Sequence, residues 1–328
     1  MKKTAFVGVD IKYDKLNLAW VSGNTVKETV SVRMPENLLK KGEVVSPDAM
    51  SDLIREAMKK GKIRCADAAL VLSTENYYIR TLNMPRMTEA QLNYNLPFEF
   101  KDYITTELKD YYFDYEVLPQ KADSEPDTMD LLAATSSKAY IEEMRGILRK
   151  AGLKLIKAAP DVCGYEAILR KKGSGGEREH CLIDLGYREI TMNFFKDGNY
   201  SITRRLQSGI ADIDRVVADA YHVDEHVAHT YLEENYKNCQ DDPACLEAYG
   251  NIVVDLQRAL NFYRFSNQDS ELTDVWVCGS GCHITPLIEQ IEGLDVEVHF
   301  GSELVPDGRS KEDCDAALCA IGLAYTEE

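Results

Sequence analysis

AFVGVDIKYDKLNLAWVSGNTVKETVSV (residues 5–32) and CLIDLGYREITMNFFKDGNYSITRRL (residues 181–206) each read as a short apolar strand followed by two alternating strands around a tight turn. The turns carry Ser22-Gly23-Asn24 in one copy and Lys196-Asp197-Gly198-Asn199 in the other, residues that tolerate the positive φ of hairpins. The segments after the two meanders also correspond. PDAMSDLIREAMKK has helical amphipathicity and leads to DAALVLS (67–73), and in the second half helices lead to DVWVCGS (274–280). Both later strands lack polar alternation, as strands covered by helices on two faces do. Two βββαβ-type units in one chain predict two related α/β domains facing each other across a cleft.

Residues 76–158 interrupt the first unit. IRTLNMP reads as a strand, TEAQLNYNLPFEF as a helix opened by Thr88 with Gln91 at its capping-box position, and YYFDYEVLP and TMDLLAAT as two strands, giving a small βαββ insertion. KADSEPDT (121–128) is expected to be a polar hairpin loop, and the Gly/Ser-rich KKGSGGEREH (171–180) is the best inter-domain boundary on composition. The expected division is a first domain over 1–158, containing the insertion, and a second over 159–328, whose final helix, 313–325, packs back toward the first.

Composition narrows the function. The 328 residues hold 38 Lys plus Arg against 55 Asp plus Glu, a net charge of −17 that excludes a nucleic-acid binder relying on clustered cations. Single cores stop growing at roughly 250–300 residues, so a chain of this length divides. No run of about 18 apolar residues is present, and MKKTAFVGVDIKYD reaches Asp10 before a signal-peptide core is complete. The expectation is a cytoplasmic protein. Nine scattered cysteines without a CxxC pair fit reduced thiols rather than a disulfide framework or a structural zinc site.

Each meander's first strand ends in an acid followed within two residues by a turn, Gly8-Val9-Asp10 and Asp184-Leu185-Gly186. Such carboxylates sit where a cleft can use them to hold the water shell of Mg²⁺, and a turn glycine such as Gly186 lets backbone N–H groups approach phosphate oxygens. Either acid alone is an ordinary strand-to-turn residue, and the pair in equivalent places carries the argument. Gly279-Ser280-Gly281, between a buried strand and a helix from about Ile284, offers bare backbone to a flat ring or a phosphate, or is simply a tight βα turn.

These features, taken with NMPRMTEAQLNYNLPFEFKDYI, FDYEVLP, KAAPDVCGYEAILR, LQRALNFYRFSNQDSELTDVWVCGSGCHITPLIEQI and DAALCAIGLAY, resemble the type IV pilus assembly PilM family of the actin-like ATPase superfamily, from Phe6 to Tyr325. The resemblance implies an α/β actin-like (ribonuclease H-like) fold. It implies ATP with Mg²⁺ in the interdomain cleft, where Asp10 and Asp184 hold Mg²⁺ through water, Gly186 and Gly209 admit phosphate, and Gly279 and Gly281 meet adenosine. It also implies the N-terminal cytoplasmic peptide of a PilN-like membrane protein as partner, bound by the cleft and the insertion at the inner face of the cytoplasmic membrane. It brings neither nucleic acid nor direct membrane insertion, and it leaves a homo-oligomer open. The first loop departs from the family's D-I-G-S-S-S-V-K: the glycine is Lys12, the small hydroxyls are Tyr13 and Asp14, and the usual lysine is Asn17. The second places Tyr187, Arg188 and Glu189 where small residues stand. A bulky loop with an extra carboxylate crowds a triphosphate, although Lys12 or Lys15 offers a replacement cation. The pocket reads as degenerate, and no catalytic residue is assigned. The rivals are an active ATPase or small-molecule kinase, for which Asp184 is the only obvious base, a filament or division protein of FtsA type, and a scaffold without nucleotide. The ending Ala324-Tyr325-Thr326-Glu327-Glu328 lacks the basic amphipathic helix expected of FtsA.

His222, His226 and His229 fall at i, i+4 and i+7 of IDRVVADAYHVDEHVAHTYLEENY, yet no acid or cysteine completes a metal site and the expected reading is a solvated helix face. Glu233-Glu234 and Asp241-Asp242 read as exposed. The tyrosines Tyr77, Tyr78, Tyr111, Tyr112 and Tyr115 read as sheet packing or as a docking surface.

Overall fold

The computed structural model describes residues 5–119, 127–172, 179–305 and 310–325. Most of the polar loop expected at 121–128 and the core of the boundary at 171–180 lie outside the described residues. In the first half the elements are β1 (Ala5–Ile11), β2 (Lys15–Ser22), β3 (Thr25–Arg33), the short pair β4 (Leu39–Lys40) and β5 (Glu43–Val44), α1 (Pro47–Lys60), β6 (Asp67–Leu72), β7 (Tyr78–Pro85), α2 (Glu89–Asn95), β8 (Tyr111–Val117), β9 (Thr128–Ser137), α3 (Lys138–Ala151), β10 (Lys154–Pro160) and α4 (Asp161–Lys171). The second half comprises β11 (Glu179–Leu185), β12 (Ile190–Lys196), β13 (Asn199–Leu206), α5 (Ile210–Tyr221), α6 (Glu225–Glu233), α7 (Pro243–Ser266), β14 (Asp274–Cys278), α8 (Thr285–Ile291), β15 (Glu297–Phe300), α9 (Lys311–Ala316) and α10 (Leu318–Ala324).

The two meanders form two sheets with the same wiring, β3-β2-β1-β6-β10 and β13-β12-β11-β14-β15. Even the register agrees, because Asp10 lies opposite Asn17 and Asp184 opposite Thr191, each one residue before its strand ends. Gly23 and the pair Asp197/Gly198 take positive φ in the hairpins. Side chains alternate along each strand and so feed two cores. Val7, Val9, Leu16 and Leu18 pack toward α1 and α3, whereas Ala19 and Val21 face α4 and α10. In the second sheet Ile183 and Leu185 face α5, α7 and α8, and Leu182 faces the shared layer. Helices α4 and α10 therefore lie between the two sheets.

Small residues set that layer's spacing. A Cβ on Gly164 of α4 would lie 2.2 Å from the Cys319 carbonyl oxygen, one on Gly322 of α10 1.8 Å from the Gly164 oxygen, and one on Gly8 of β1 2.0 Å from the Ala320 oxygen. The backbones touch, so α10 is locked to both α4 and β1.

The insertion is a three-stranded sheet of order β7-β9-β8, over which α2 and the 3₁₀ segment Leu96–Phe100 fold. Thr88 and Gln91 make the full capping box. Leu92, Leu96 and Phe100 fill the small core beneath them. Each such side chain contributes about 1.5–3 kcal/mol on burial.

Four expectations need correction. The helix expected to carry all three histidines is two helices, because His222 adopts the left-handed conformation that ends α5 and Asp224 caps α6. His229 is then 5% exposed rather than solvated, with Nδ1 2.9 Å from Asp214 Oδ2. Glu233 is not a free surface acid, since it pairs with Lys15 at 3.0 Å, and the closing helix is broken at Ala317 into α9 and α10.

Candidate functional site: a cleft and a groove

The cleft lies beyond the carboxyl ends of β1 and β11, where open α/β sheets place their ligand sites. Asp10 and Asp184 are 4% and 8% exposed and reach the same cation. Lys12 occupies the turn between β1 and β2, with its backbone N–H donating to the Lys15 carbonyl at 2.9 Å. From there its ammonium reaches 2.7 Å from Asp184 Oδ2 and 3.9 Å from Asp10 Oδ2. Tyr165 of α4 donates to the same Asp184 oxygen at 2.9 Å, and Asn17 and Cys319 reach Asp10 Oδ2 at 3.4 and 3.5 Å.

Burial pulls the Lys12 ammonium down, but Asp184 and then Asp10 more than offset it and hold its pKa well above the ordinary lysine range. Burial raises the Asp10 carboxyl, opposed by Lys12 and reinforced by Asp184. Burial likewise pushes Asp161, the first residue of α4, up to about 6, although the Tyr77 hydroxyl donates to it at 2.7 Å.

Around this centre the two halves bind each other. The Arg188 guanidinium sits 3.7 Å from the centre of the Tyr13 ring, whose hydroxyl donates to Glu75 at 2.8 Å. Thr74 donates to Glu189, and Arg205 to the Thr74 carbonyl at 3.4 Å. Tyr13, Glu75 and Thr74 belong to the first half, and Arg188, Glu189 and Arg205 to the second.

The residues present do not fit Mg²⁺ with a nucleotide in this arrangement. Magnesium needs near-octahedral oxygen ligands at about 2.0–2.1 Å, and an ammonium stands between the two carboxylates that would hold its waters. The N-terminus of α5, which a phosphate would use, is already occupied: Ile210 N–H donates to the Gly186 carbonyl at 3.1 Å, Ala211 N–H to that of Tyr187 at 2.8 Å, and Gly209 N–H to Asp212 at 3.0 Å. The glycines are explained by close packing. A Cβ on Gly186 would come 2.5 Å from the Glu189 oxygen and one on Gly209 2.4 Å from the Tyr187 oxygen. Gly279, at φ 93°, would meet Asp184 Oδ1 at 2.1 Å, and Gly281 would press on Ile210 and Leu185 at 2.7 and 2.8 Å.

The structure thus brings Asp10, Lys12, Asp184, Gly186 and Gly279 together, with Gly209 and Gly281 packed just behind. Sequence reasoning missed Tyr165, Cys319 and the Tyr13–Arg188 pair. Only the last carried a signal, in the bulky residues that replace small ones in the two loops. Among the described residues Asp274, Glu297 and His299 form a histidine–acid group on the second sheet, with both acids 3.6 Å from His299 Nε2 and Glu297 72% exposed on its side chain, as in ordinary surface ion pairs.

A larger concavity of about 1110 Å³ separates the insertion from β10 and α4, against about 350 Å³ for the cleft. Ile79, Tyr112, Tyr115, Lys157, Arg170 and Tyr325 are among its walls. Strand β8 is an edge of the insertion sheet, so one row of its backbone groups is not used by a neighbouring strand of that sheet. Tyr112 is 44% exposed there, while Tyr77, read from sequence as part of the same cluster, is buried at 5%.

The sequence pattern of the family described as type IV pilus assembly protein PilM matches residues 8–305. No curated protein sequence matches the chain. Among solved structures, a PilM-PilN type IV pilus biogenesis complex superposes with a TM-score of 0.81 at 20% identity, covering 98% of both chains. The ethanolamine utilization protein EutJ from Carboxydothermus hydrogenoformans superposes at 0.61 and 14%, covering 99% of this chain and 90% of that one. MreB5 of Spiroplasma citri, solved bound to AMPPNP, superposes at 0.50 and 10%, covering 97% and 94%. The chain belongs to the type IV pilus assembly protein PilM family, and its fold is that of the actin-like ATPases.

Proposed function

We propose that this type IV pilus assembly protein is an adaptor that holds the N-terminal cytoplasmic tail of a PilN-like membrane protein in the groove beside its insertion. The observation that carries the reading is the groove itself, a preformed trough of about 1110 Å³ bordered by the edge strand β8. An extended tail can add main-chain hydrogen bonds along such an edge while alternate side chains enter pockets. Tyr112 supplies rigid aromatic area of the kind that dominates binding energy, and Lys157 stands on the opposite wall. The 0.81 neighbour is a complex of PilM with PilN, which supports the choice of partner. No described helix is long and apolar enough to cross a membrane, so in this reading the protein works at the inner face by holding on to its partner.

Recognition rather than turnover is the activity. A kinase base must be available to its substrate, and Asp184 already accepts from Lys12 and Tyr165. Fluorescence anisotropy with a labelled peptide of the partner's tail tests the reading. Saturable binding is expected, weakened at least about tenfold by Tyr112→Ala, equivalent to about 1.4 kcal/mol. Absence of binding to the wild type would overturn it.

A further inference from the structure

We propose that the Lys12 ammonium permanently holds the place of the cleft cation, so that protein contacts alone close the two halves and the cleft takes no Mg·nucleotide. This goes beyond the adaptor reading and stands apart from it, since a failure to bind peptide would leave it untouched.

Position is the first argument. Lys12 Nζ lies 2.7 Å from Asp184 Oδ2 and 3.9 Å from Asp10 Oδ2, and these two carboxylates come from equivalent points of the two sheets. A tethered ammonium is a compact point charge with three donors, present at fixed effective concentration and needing no dehydration of a free ion. It links the two sheets as a shared metal would, with one positive charge where magnesium brings two.

The second argument is that the cations of the cleft and the first amides of α5 are already engaged. The cleft's walls carry Asp14, Glu75, Asp161 and Glu189 besides the paired acids, with Lys12 and Arg188 as the cations. Arg188 lies on the Tyr13 ring, and the first amides of α5 donate to the second loop's own carbonyls. A nucleotide would have to break the Lys12–Asp184 pair, free the amides of α5 and enter an acid-lined space.

Third, closure does not depend on the centre alone. Lys15 pairs with Glu233 at 3.0 Å and Arg33 donates to Thr230 at 2.7 Å, both across the halves. A ligand shifts a conformational equilibrium only by its differential affinity for the two states, and a cleft that excludes nucleotide is not switched by it.

Thermal melting of the full chain tests this, using MgCl₂ alone and MgCl₂ with ATP as probes on the wild type, Lys12→Met and Lys12→Gly. The wild type should show no saturable shift with Mg·ATP, whereas ligand at a hundred times its Kd would raise Tm by about 4 °C. Lys12→Met, which leaves two buried acids facing each other, should melt about 5 °C lower. Lys12→Gly should gain a saturable rise with MgCl₂ alone that the wild type lacks. Equal responses of wild type and Lys12→Gly to MgCl₂ would overturn the proposal. Should the variants fail to fold, equilibrium dialysis of radiolabelled ATP with Mg²⁺ against the wild type decides: no binding up to millimolar ligand upholds it, and saturable one-to-one binding overturns it.

Discussion

Asp184 shows how a buried charge is kept. One of its oxygens accepts from Lys12 and from Tyr165, while the other, Oδ1, is buried with no hydrogen-bond partner among the described residues. A hydrogen bond to a charged group contributes about 1.5–3 kcal/mol. Tyr165→Phe removes one donor, keeps the ring's packing, and should lower the free energy of unfolding by about that amount in urea titration; an unchanged midpoint would mean the hydroxyl is not engaged. Asp10, Asp184 and the departure at Lys12 were legible in the sequence because strand ends and loop chemistry are local. Tyr165 and Cys319 were not, since they reach the centre only once α4 and α10 lie between the sheets. His229 was misread for a similar reason. The break at His222 lets α6 fold back against α5, and the ring meets Asp214 of α5 instead of water.

At the scale of elements, α4 governs two predictions. Its Gly164 carbonyl and backbone touch α10, and backbone cannot yield as a side chain can. Gly164→Ala should therefore destabilise the chain by about 3 kcal/mol or more despite alanine's better helix propensity, a loss readable by calorimetry; a variant as stable as wild type would show that the helices can part. Two residues further on, burial pushes Glu166 up to about 7, against the opposing pull of Arg170, to which it is paired. A carboxyl with a raised folded pKa favours the folded state most below its unfolded value of 4.5, and that contribution is lost as pH rises through about 7. The stability of Glu166→Gln relative to wild type should accordingly rise between pH 5 and 8, and parallel Tm–pH curves would refute the assignment. The meanders, the capping box of α2 and the insertion's strands were readable because period, turn residues and caps are short-range signals. The split at α5/α6 was not, because a left-handed histidine carries no marker as plain as glycine.

The whole molecule is two sheets of one wiring with a helical layer between them, latched across a narrow cleft and bearing a wide groove on the insertion side. The repeat announced the wiring, while the groove arises only where the insertion leans over β10 and α4, a long-range arrangement that no local pattern encodes. Lys157 and Arg170 stand in the groove wall, where Arg170 is paired with Glu116 and Glu166. Recognition in that groove is the claim on which the functional account stands. Its most direct test places a photo-reactive phenylalanine analogue at position 112 in the groove, or at the exposed position 236 in the second half, and irradiates the protein with the partner's tail peptide. Crosslinking from 112 and not from 236 is the predicted result; crosslinking from 236 alone, or from neither position, would contradict the account.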